Sequence, residues 1–306
     1  MNIELKKINA QVTENTAEFI RSSNEAYLES LKKIAEDIAL HRDKKPIILL
    51  SGPSGSGKTT SALMIEKILD EQGIETHTLS LDNYFSPLTE QEKELFTLGK
   101  LDLESPKRVD SPFLTEQLRE IYHCRPVELP IYDFKESVRI RSGKILHRKP
   151  GELVILEGIH SLNPDIITFK DSRTAKIYVS VRTRIAKNGV LLHPSKIRLM
   201  RRLVRDMLFR KRSFQDTLMM FHSVEDGENK YIMPYKYRSD YDVDTFMPYE
   251  ICAYRSFLLE AFRNMPEEPL VRDMLDFLEQ TEEISPEAIT PDSLICEFIG
   301  NGQFNL

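Results

Sequence analysis

Pro46-Ile47-Ile48-Leu49-Leu50-Ser51-Gly52-Pro53-Ser54-Gly55-Ser56-Gly57-Lys58-Thr59-Thr60 is the stretch that decides how this chain folds. Its first part is a short aliphatic run, the signature of a buried strand. Its second part fits G-x-x-x-x-G-K-[ST] in full. Three of the chain's twelve glycines fall within positions 52–57. Glycine lets a backbone turn its N–H groups inward and approach a phosphate closely. The amphipathic segment from Thr59 to Glu71 reads as a helix that presents its positive end to the same anion. Strand, glycine turn and helix follow in the order that a nucleotide-phosphate site requires. Gly52, Pro53, Ser54, Gly55, Ser56, Gly57, Lys58, Thr59 and Thr60 are therefore expected to hold ATP. Lys58 supplies charge to the β- and γ-phosphates, and the Thr59 hydroxyl is placed to ligate Mg²⁺.

Outward from this loop, strands are expected at Ile74 to Leu81, Val127 to Tyr132, Val138 to His147, Glu152 to Glu157 and Ala175 to Ser180. The Val138 segment is expected to form a hairpin around Ser142-Gly143, inserted over the sheet edge. Helices are expected at Asn24 to His41, at Ser111 to Cys124 with Ser111 as N-cap, and at Pro194 to Arg210. Further helices follow at Ser213 to Val224, Tyr249 to Phe262 and Leu270 to Gln280. Residues before Glu18 show no clear period and are left unassigned, and a polar segment runs up to about Lys100. Strands alternating with helices argue for an α/β fold with a parallel sheet covered by helices. The expected organisation is an N-terminal helical extension at 1–44, a P-loop domain at 45–264 and a helical tail at 265–306. The last dozen residues are expected to reach back onto the main body.

Composition narrows the function. The chain has 306 residues, 42 Lys+Arg against 48 Asp+Glu, and a net charge of −6. An acidic balance disfavours a surface built wholly to grip nucleic acid or anionic lipid. No apolar run approaches the length of a membrane span, and Met1 to Lys7 lacks the pattern of a secretory signal. Three scattered cysteines offer neither a disulfide framework nor a zinc site. A cytoplasmic protein is expected.

Several features separate the classes of P-loop protein. Asn229-Lys230-Tyr231-Ile232 lacks the acid of a guanine-binding motif. Leu153-Val-Ile-Leu-Glu157-Gly158 is an apolar strand ending in a carboxylate; Glu157 lies near the metal or is an acid at a solvated strand end. From Lys196 to Arg212, eight of seventeen residues are cationic and only Asp206 is acidic. Arg198, Arg202 and Arg205 share a helical face, flanked by Arg201. A flexible arm of arginines at about 194–215 would close over ATP and stabilise the moving phosphoryl group. A solvated helix face and an RNA-binding face are the alternatives, and the absence of interleaved aromatics counts against RNA. On the acceptor side, Ser80-Leu-Asp82-Asn-Tyr84-Phe85 ends the second strand, on the edge where α/β proteins bind ligands. Asp82 is there either as a base for an acceptor hydroxyl or as a cap.

Taken in order, Gly52–Thr60, Leu81-Asp82-Asn-Tyr84, Pro130-Ile-Tyr132-Asp-Phe134, Leu156-Glu157-Gly-Ile-His160 and Arg201-Arg202-Leu-Val-Arg205-Asp206 resemble the uridine kinase/phosphoribulokinase family of P-loop kinases. The resemblance spans roughly residues 20–300 and includes Leu294-Ile-Cys-Glu-Phe-Ile-Gly300. It implies ATP- and Mg²⁺-dependent phosphorylation of a small-molecule hydroxyl, in uridine kinases the 5′-OH. It implies Asp82 as general base with Lys58 and Arg205 at the reaction, and Thr59 and Glu157 at the metal. Arg202, Arg205, Arg210 and Arg212 belong to the ATP lid. Tyr84, Glu104, Tyr132, Phe134 and Arg139 join Asp82 and Arg205 on the substrate, with the aromatics on the base and Glu104 on the ribose hydroxyls. Two positions depart from the family pattern. Glu104 stands where the family has Asp, and Ser137 where uridine–cytidine kinases have His, so another nucleoside or a polyol remains open. A kinase of another sugar, or an ATP-binding regulator without phosphotransfer, is the competing reading. The expected partner is a small-molecule acceptor, with no nucleic acid and no membrane, in a homo-oligomer suggested by family analogy alone. Asp240, Asp242 and Asp244 alternate and would share one strand face, where a divalent ion or plain solvation fits equally. His160 either touches the site or makes a structural hydrogen bond.

Overall fold

The computed structural model describes residues 1–98 and 100–304. In chain order the elements are β1 (Asn2–Glu4), α1 (Leu5–His41), β2 (Ile47–Ser51), α2 (Lys58–Glu71), β3 (Thr76–Ser80) and α3 (Glu90–Thr97). They continue with α4 (Ser111–Tyr122), β4 (Val127–Asp133), β5 (Val138–Leu146), β6 (Leu153–Glu157), β7 (Thr174–Ser180), β8 (Arg184–Lys187) and β9 (Val190–Leu192). Last come α5 (Pro194–Phe209), α6 (Phe214–Tyr231), β10 (Tyr241–Asp244), α7 (Glu250–Arg263), α8 (Pro269–Leu278) and α9 (Cys296–Ile299).

The central sheet has the order β10-β7-β2-β6-β3, and every pairing is parallel. Every residue of β2, β6 and β7 is buried, as a sheet covered on both faces demands. One apolar layer gathers α1, α2, α5, α7 and α8, and the other gathers α4, the β4–β5 ribbon and the loop after β6. Because the strands are parallel, the turns after β2, β3 and β6 all emerge on one edge, where α/β folds hold ligands. No helix of the described residues is long and apolar enough to cross a membrane.

Several expectations need correction. The segment before Glu18 is helical: Leu5, Ile8 and Val12 make a buried stripe. Asn15, at φ −163° and ψ 89°, interrupts the helix, and its Oδ1 accepts from Glu18 N at 3.1 Å. It ends one apolar stripe and caps the next, so a single period does not run through. α3 fills part of the polar segment, started by a Thr89/Glu92 capping box. Asp110, not Ser111, caps α4, accepting from Phe113 N at 3.1 Å. The hairpin turns at residues 134–137, where Asp133 Oδ1 accepts from the Lys135 and Glu136 amides. Ser142-Gly143 instead lies within β5, opposite the register shift between Glu128 and Pro130, with Gly143 at φ +71°.

The three alternating aspartates are structural. Asp240 accepts from Lys176 N, Asp242 pairs with Arg182, and Asp244 accepts from the amides of Arg182, Thr183 and Phe246. Their oxygens are engaged along the β10 edge by protein amides and Arg182 in place of an ion.

Candidate functional site

The loop between β2 and α2 is shaped by its glycines. Gly55 and Gly57 sit at φ +74° and +81°. A Cβ on Gly52 would fall 2.0 Å from Val179 O, so only glycine lets the loop cross β7. Gly57 is the N-cap of α2 and has no side chain to satisfy the helix's first amides. Of the first amides of α2, Ser61 N donates to Gly57 O and Thr60 N to Glu297, which leaves those of Lys58 and Thr59, among the described residues, as the orphan donors of the helix start. The Ser56 Oγ is buried without a partner, and Lys58 Nζ folds back to Pro53 O at 3.2 Å. Unpaired donors, positive-φ glycines and a lysine fit a nucleotide phosphate.

Three of the four arginines of α5 reach this loop, though not as a free arm. Arg198 Nη1 donates to Ser54 O at 3.0 Å, and Arg202 Nη1 to Ser54 Oγ at 3.2 Å. Arg201 is fully buried, donates to Gly55 O at 3.1 Å and pairs with Glu250, its Nε 2.6 Å from Oε2. Leu199, Met200, Leu203 and Val204 pack into the core beside it. Lifting α5 would break a buried ion pair, at a cost of about 3–5 kcal/mol. The expectation of a mobile arm over 194–215 therefore fails for α5, since its core-facing side anchors the loop. Arg210 and Arg212 lie at its end, half-exposed, and both lean toward Asp206 (3.2 and 3.8 Å).

A second anchor comes from α9. Glu297 Oε2 accepts from Thr60 Oγ1 at 2.7 Å and from Thr60 N at 3.4 Å. Arg205 Nη1 donates to Glu297 Oε1 at 3.4 Å, and Phe298 lies under the Arg201 and Arg205 guanidinium groups. Glu297 thus caps α2 from a distant part of the chain, and the Thr60 hydroxyl points to it. Nothing in the loop motif signals this residue; only its place in Leu294–Gly300 does.

Across the loop stand three carboxylates. Asp82 lies in the 3-10 turn that follows β3, half-buried; burial pushes its carboxyl above the usual range, opposed by Lys58, Arg108 and Arg210. Glu157 ends β6, abreast of Ser80 and Leu50. Burial pushes it up to about 7, with Lys58 opposing and Asp82 adding. Gly158 must be glycine, because a Cβ there would lie 2.5 Å from Leu81 Cβ. Glu104 is also pushed up by burial, against Arg202 and Lys58. Lys58 opposes the upward shift of all three acids, and Lys58, Asp82 and Glu157 stand on the same edge of the sheet. The hard oxygens of Thr59 and Glu157 there suit a divalent cation such as Mg²⁺.

His160 bears on this cleft through Glu104, its Nε2 lying 2.9 Å from Glu104 O. Burial holds its pKa down to about 4, so it is neutral near pH 7.

The remaining wall is aromatic. Phe85, Tyr132 and Phe134 form an edge-to-face cluster with centroids 5.1 to 6.4 Å apart. Phe134 is 63% exposed, an open apolar edge. Asn83 Oδ1 ties Tyr132 N to the turn that carries Asp82. Tyr84 needs correction: it is buried, its hydroxyl donates to Gln117 and its ring packs on Phe113, so it faces the core. Arg139 pairs with Asp110 at 2.9 Å and lies over Phe113, fastening the ribbon to α4. Arg108, missed from the sequence because a Pro-Lys-Arg turn carries no motif, donates from Nη2 to Tyr132 Oη at 3.0 Å.

With this geometry in view, comparison with known proteins is specific. The model of the phosphoribulokinase/uridine kinase family matches residues 47–250. Curated relatives include a uridine kinase of Lactobacillus helveticus, 34% identical over 64% of this chain and 85% of that one. One of Lactobacillus johnsonii is 32% identical over 65% and 86%. Among solved structures, one from Silicibacter sp. TM1040, provisionally described as a fructose transport system kinase, superposes with a TM-score of 0.53. It is 16% identical and covers 69% of this chain and 98% of that one, a likeness of fold.

Proposed function

Because the chain belongs to the phosphoribulokinase/uridine kinase family, we propose that it moves the γ-phosphoryl group of ATP to a hydroxyl held beside Asp82. The coarse activity, a phosphotransferase with an alcohol acceptor, goes with that membership. The finer reading is supported by one observation above others: Lys58 at the start of α2, Asp82 in the turn after β3 and Glu157 at the end of β6 lie together on the sheet's ligand edge.

Gly52 to Thr60 would hold the triphosphate, with Arg202, Arg205, Arg210 and Arg212 around it and Thr59 and Glu157 holding Mg²⁺. Held there, Mg²⁺ would supply neutralisation of phosphate charge. Asp82 accepts the proton of the attacking hydroxyl, and its raised pKa makes it a better base than an exposed aspartate. Lys58 and Arg205 stabilise charge on the transferring group. Glu104 takes neighbouring hydroxyls, and Tyr132 and Phe134 take the flat or apolar part of the acceptor. Relatives named uridine kinase make a nucleoside 5′-hydroxyl the reference acceptor. Ser137, which lies at φ +55° in the ribbon's turn, lacks the ring nitrogen of a histidine, so the base edge is less constrained.

Acceptor-dependent ADP release, measured with a coupled assay over nucleosides and sugars, tests this reading. ATP binding with no product from any acceptor would instead favour a nucleotide-sensing regulator.

A further inference from the structure

We propose that the acceptor carries an oxyanion, a carboxylate or a phosphate, and that Arg108 is the side chain that holds it. The inference rests on the kinase reading above and narrows its acceptor.

Five arginines are buried among the described residues: Arg108, Arg148, Arg198, Arg201 and Arg202. Four have their charge answered. Arg198 pairs with Glu228, Arg201 with Glu250 and Arg202 with Asp206. Arg148 donates to the carbonyls of Ile121, Tyr122, Lys149 and Glu152. Arg108 is different. Among the described residues its guanidinium makes one hydrogen bond, to Tyr132 Oη, and no carboxylate lies within 4 Å. Its other neighbour is the Phe85 ring, 5.2 Å away. Asp82 and Glu92 feel its charge without reaching it. A buried cation with no counterion is costly unless something pairs with it.

The backbone around Arg108 is fastened. Its N–H donates to Ser105 O at 3.1 Å, and its carbonyl accepts from Ser86 N at 2.7 Å. Tyr132 Oη is already an acceptor for Arg108, so its own proton is left for another partner. This corner of the cleft therefore presents donors only. The same wall also presents the acids Asp82 and Glu104. A ligand matching both has hydroxyls at one end and an oxygen-rich anion at the other, with its carbon frame along Phe85 and Phe134. A neutral carbonyl would satisfy one donor, whereas an oxyanion satisfies the charge as well. Hydrogen bonds to charged groups are worth roughly twice those between neutral ones.

The test compares kcat/KM for matched pairs, ribose against ribose 5-phosphate and sorbitol against gluconate, with uridine as a further neutral acceptor. The anionic member is expected to be preferred, and the pair that shows the preference tells phosphate from carboxylate. Arg108→Gln keeps a donor for Tyr132 and removes the charge. It is expected to cut kcat/KM for the anion about 10- to 100-fold, chiefly through KM, so that the anion-to-neutral ratio collapses. Arg108→Lys is expected to restore part of that ratio, which a purely structural role would not produce. Uridine, ribose or sorbitol turned over as well as the anions, or a ratio indifferent to Arg108→Gln, overturns the proposal and leaves the kinase standing. No ADP release with any acceptor overturns both.

Discussion

The two halves of the cleft are built by different means. On the phosphate side, one contiguous loop is fixed by backbone geometry and by anchors that close behind it: Arg198, Arg201 and Arg202 from α5, and Glu297 from α9. On the acceptor side, Asp82, Glu104, Arg108 and Tyr132 come from separate turns and one strand, joined by single hydrogen bonds such as Asn83 to Tyr132 and His160 to Glu104. On the proposed function, the shared chemistry of phosphate would be held by main chain, while the choice of acceptor would be left to side chains on short turns. Such turns change at little cost to the sheet.

That contrast can be broken most forcefully at its two centres. Asp82→Asn is expected to lower turnover by about 10²–10⁴ while ATP affinity, measured by calorimetry, holds. Near-normal turnover would remove Asp82 from the base role. Next is Arg201→Met, which strands Glu250 in the core. It is expected to cost about 3–5 kcal/mol in urea unfolding and to loosen the phosphate loop.

Glu157→Gln sharpens the comparison by separating stability from activity. Its folded pKa, about 7, lies above the ordinary carboxylate value near 4.5. The folded state thus takes up a proton between those values, and stability is lost as the pH rises through that window. At pH 8, without nucleotide or metal, Glu157→Gln is expected to raise stability on the order of 1–3 kcal/mol, by thermal melting. The gain should fade toward pH 4.5, and activity should fall at every pH. The smallest effect is expected at Phe134, exposed at the rim: Phe134→Ala should raise the acceptor KM by about 2- to 10-fold and leave the melting temperature nearly unchanged.

The unequal construction also explains what could be read in advance. The phosphate loop was plain because its requirement is local: glycines, a lysine and a hydroxyl at fixed spacing between a strand and a helix. Glu157 was readable for the same reason, at the end of an aliphatic strand. The acceptor side was readable only by resemblance, and unevenly. Tyr84 lies between Asn83 and Phe85 in sequence but turns toward α4, while Arg139, directly across the ribbon from Tyr132, is drawn to Asp110 and Phe113. Arg108 and Glu297 carry no local signal, since what makes each matter is a partner brought near by folding. The arginine cluster on α5 misled in another way. Charge periodicity marks a face, but whether that face meets solvent or a phosphate loop depends on the apolar stripe opposite. Here Leu199, Met200 and Leu203 hold it against the core.

The contact between Thr60 and Glu297 spans 237 positions of sequence. During synthesis at about 5–20 residues per second, the loop emerges from the ribosome roughly 10–50 s before the glutamate that secures its helix. When that interval begins, the loop exists as sequence without the β7 strand it crosses, the arginines that brace it or the glutamate that caps its helix, so the cradle is completed only as the last part of the chain is made.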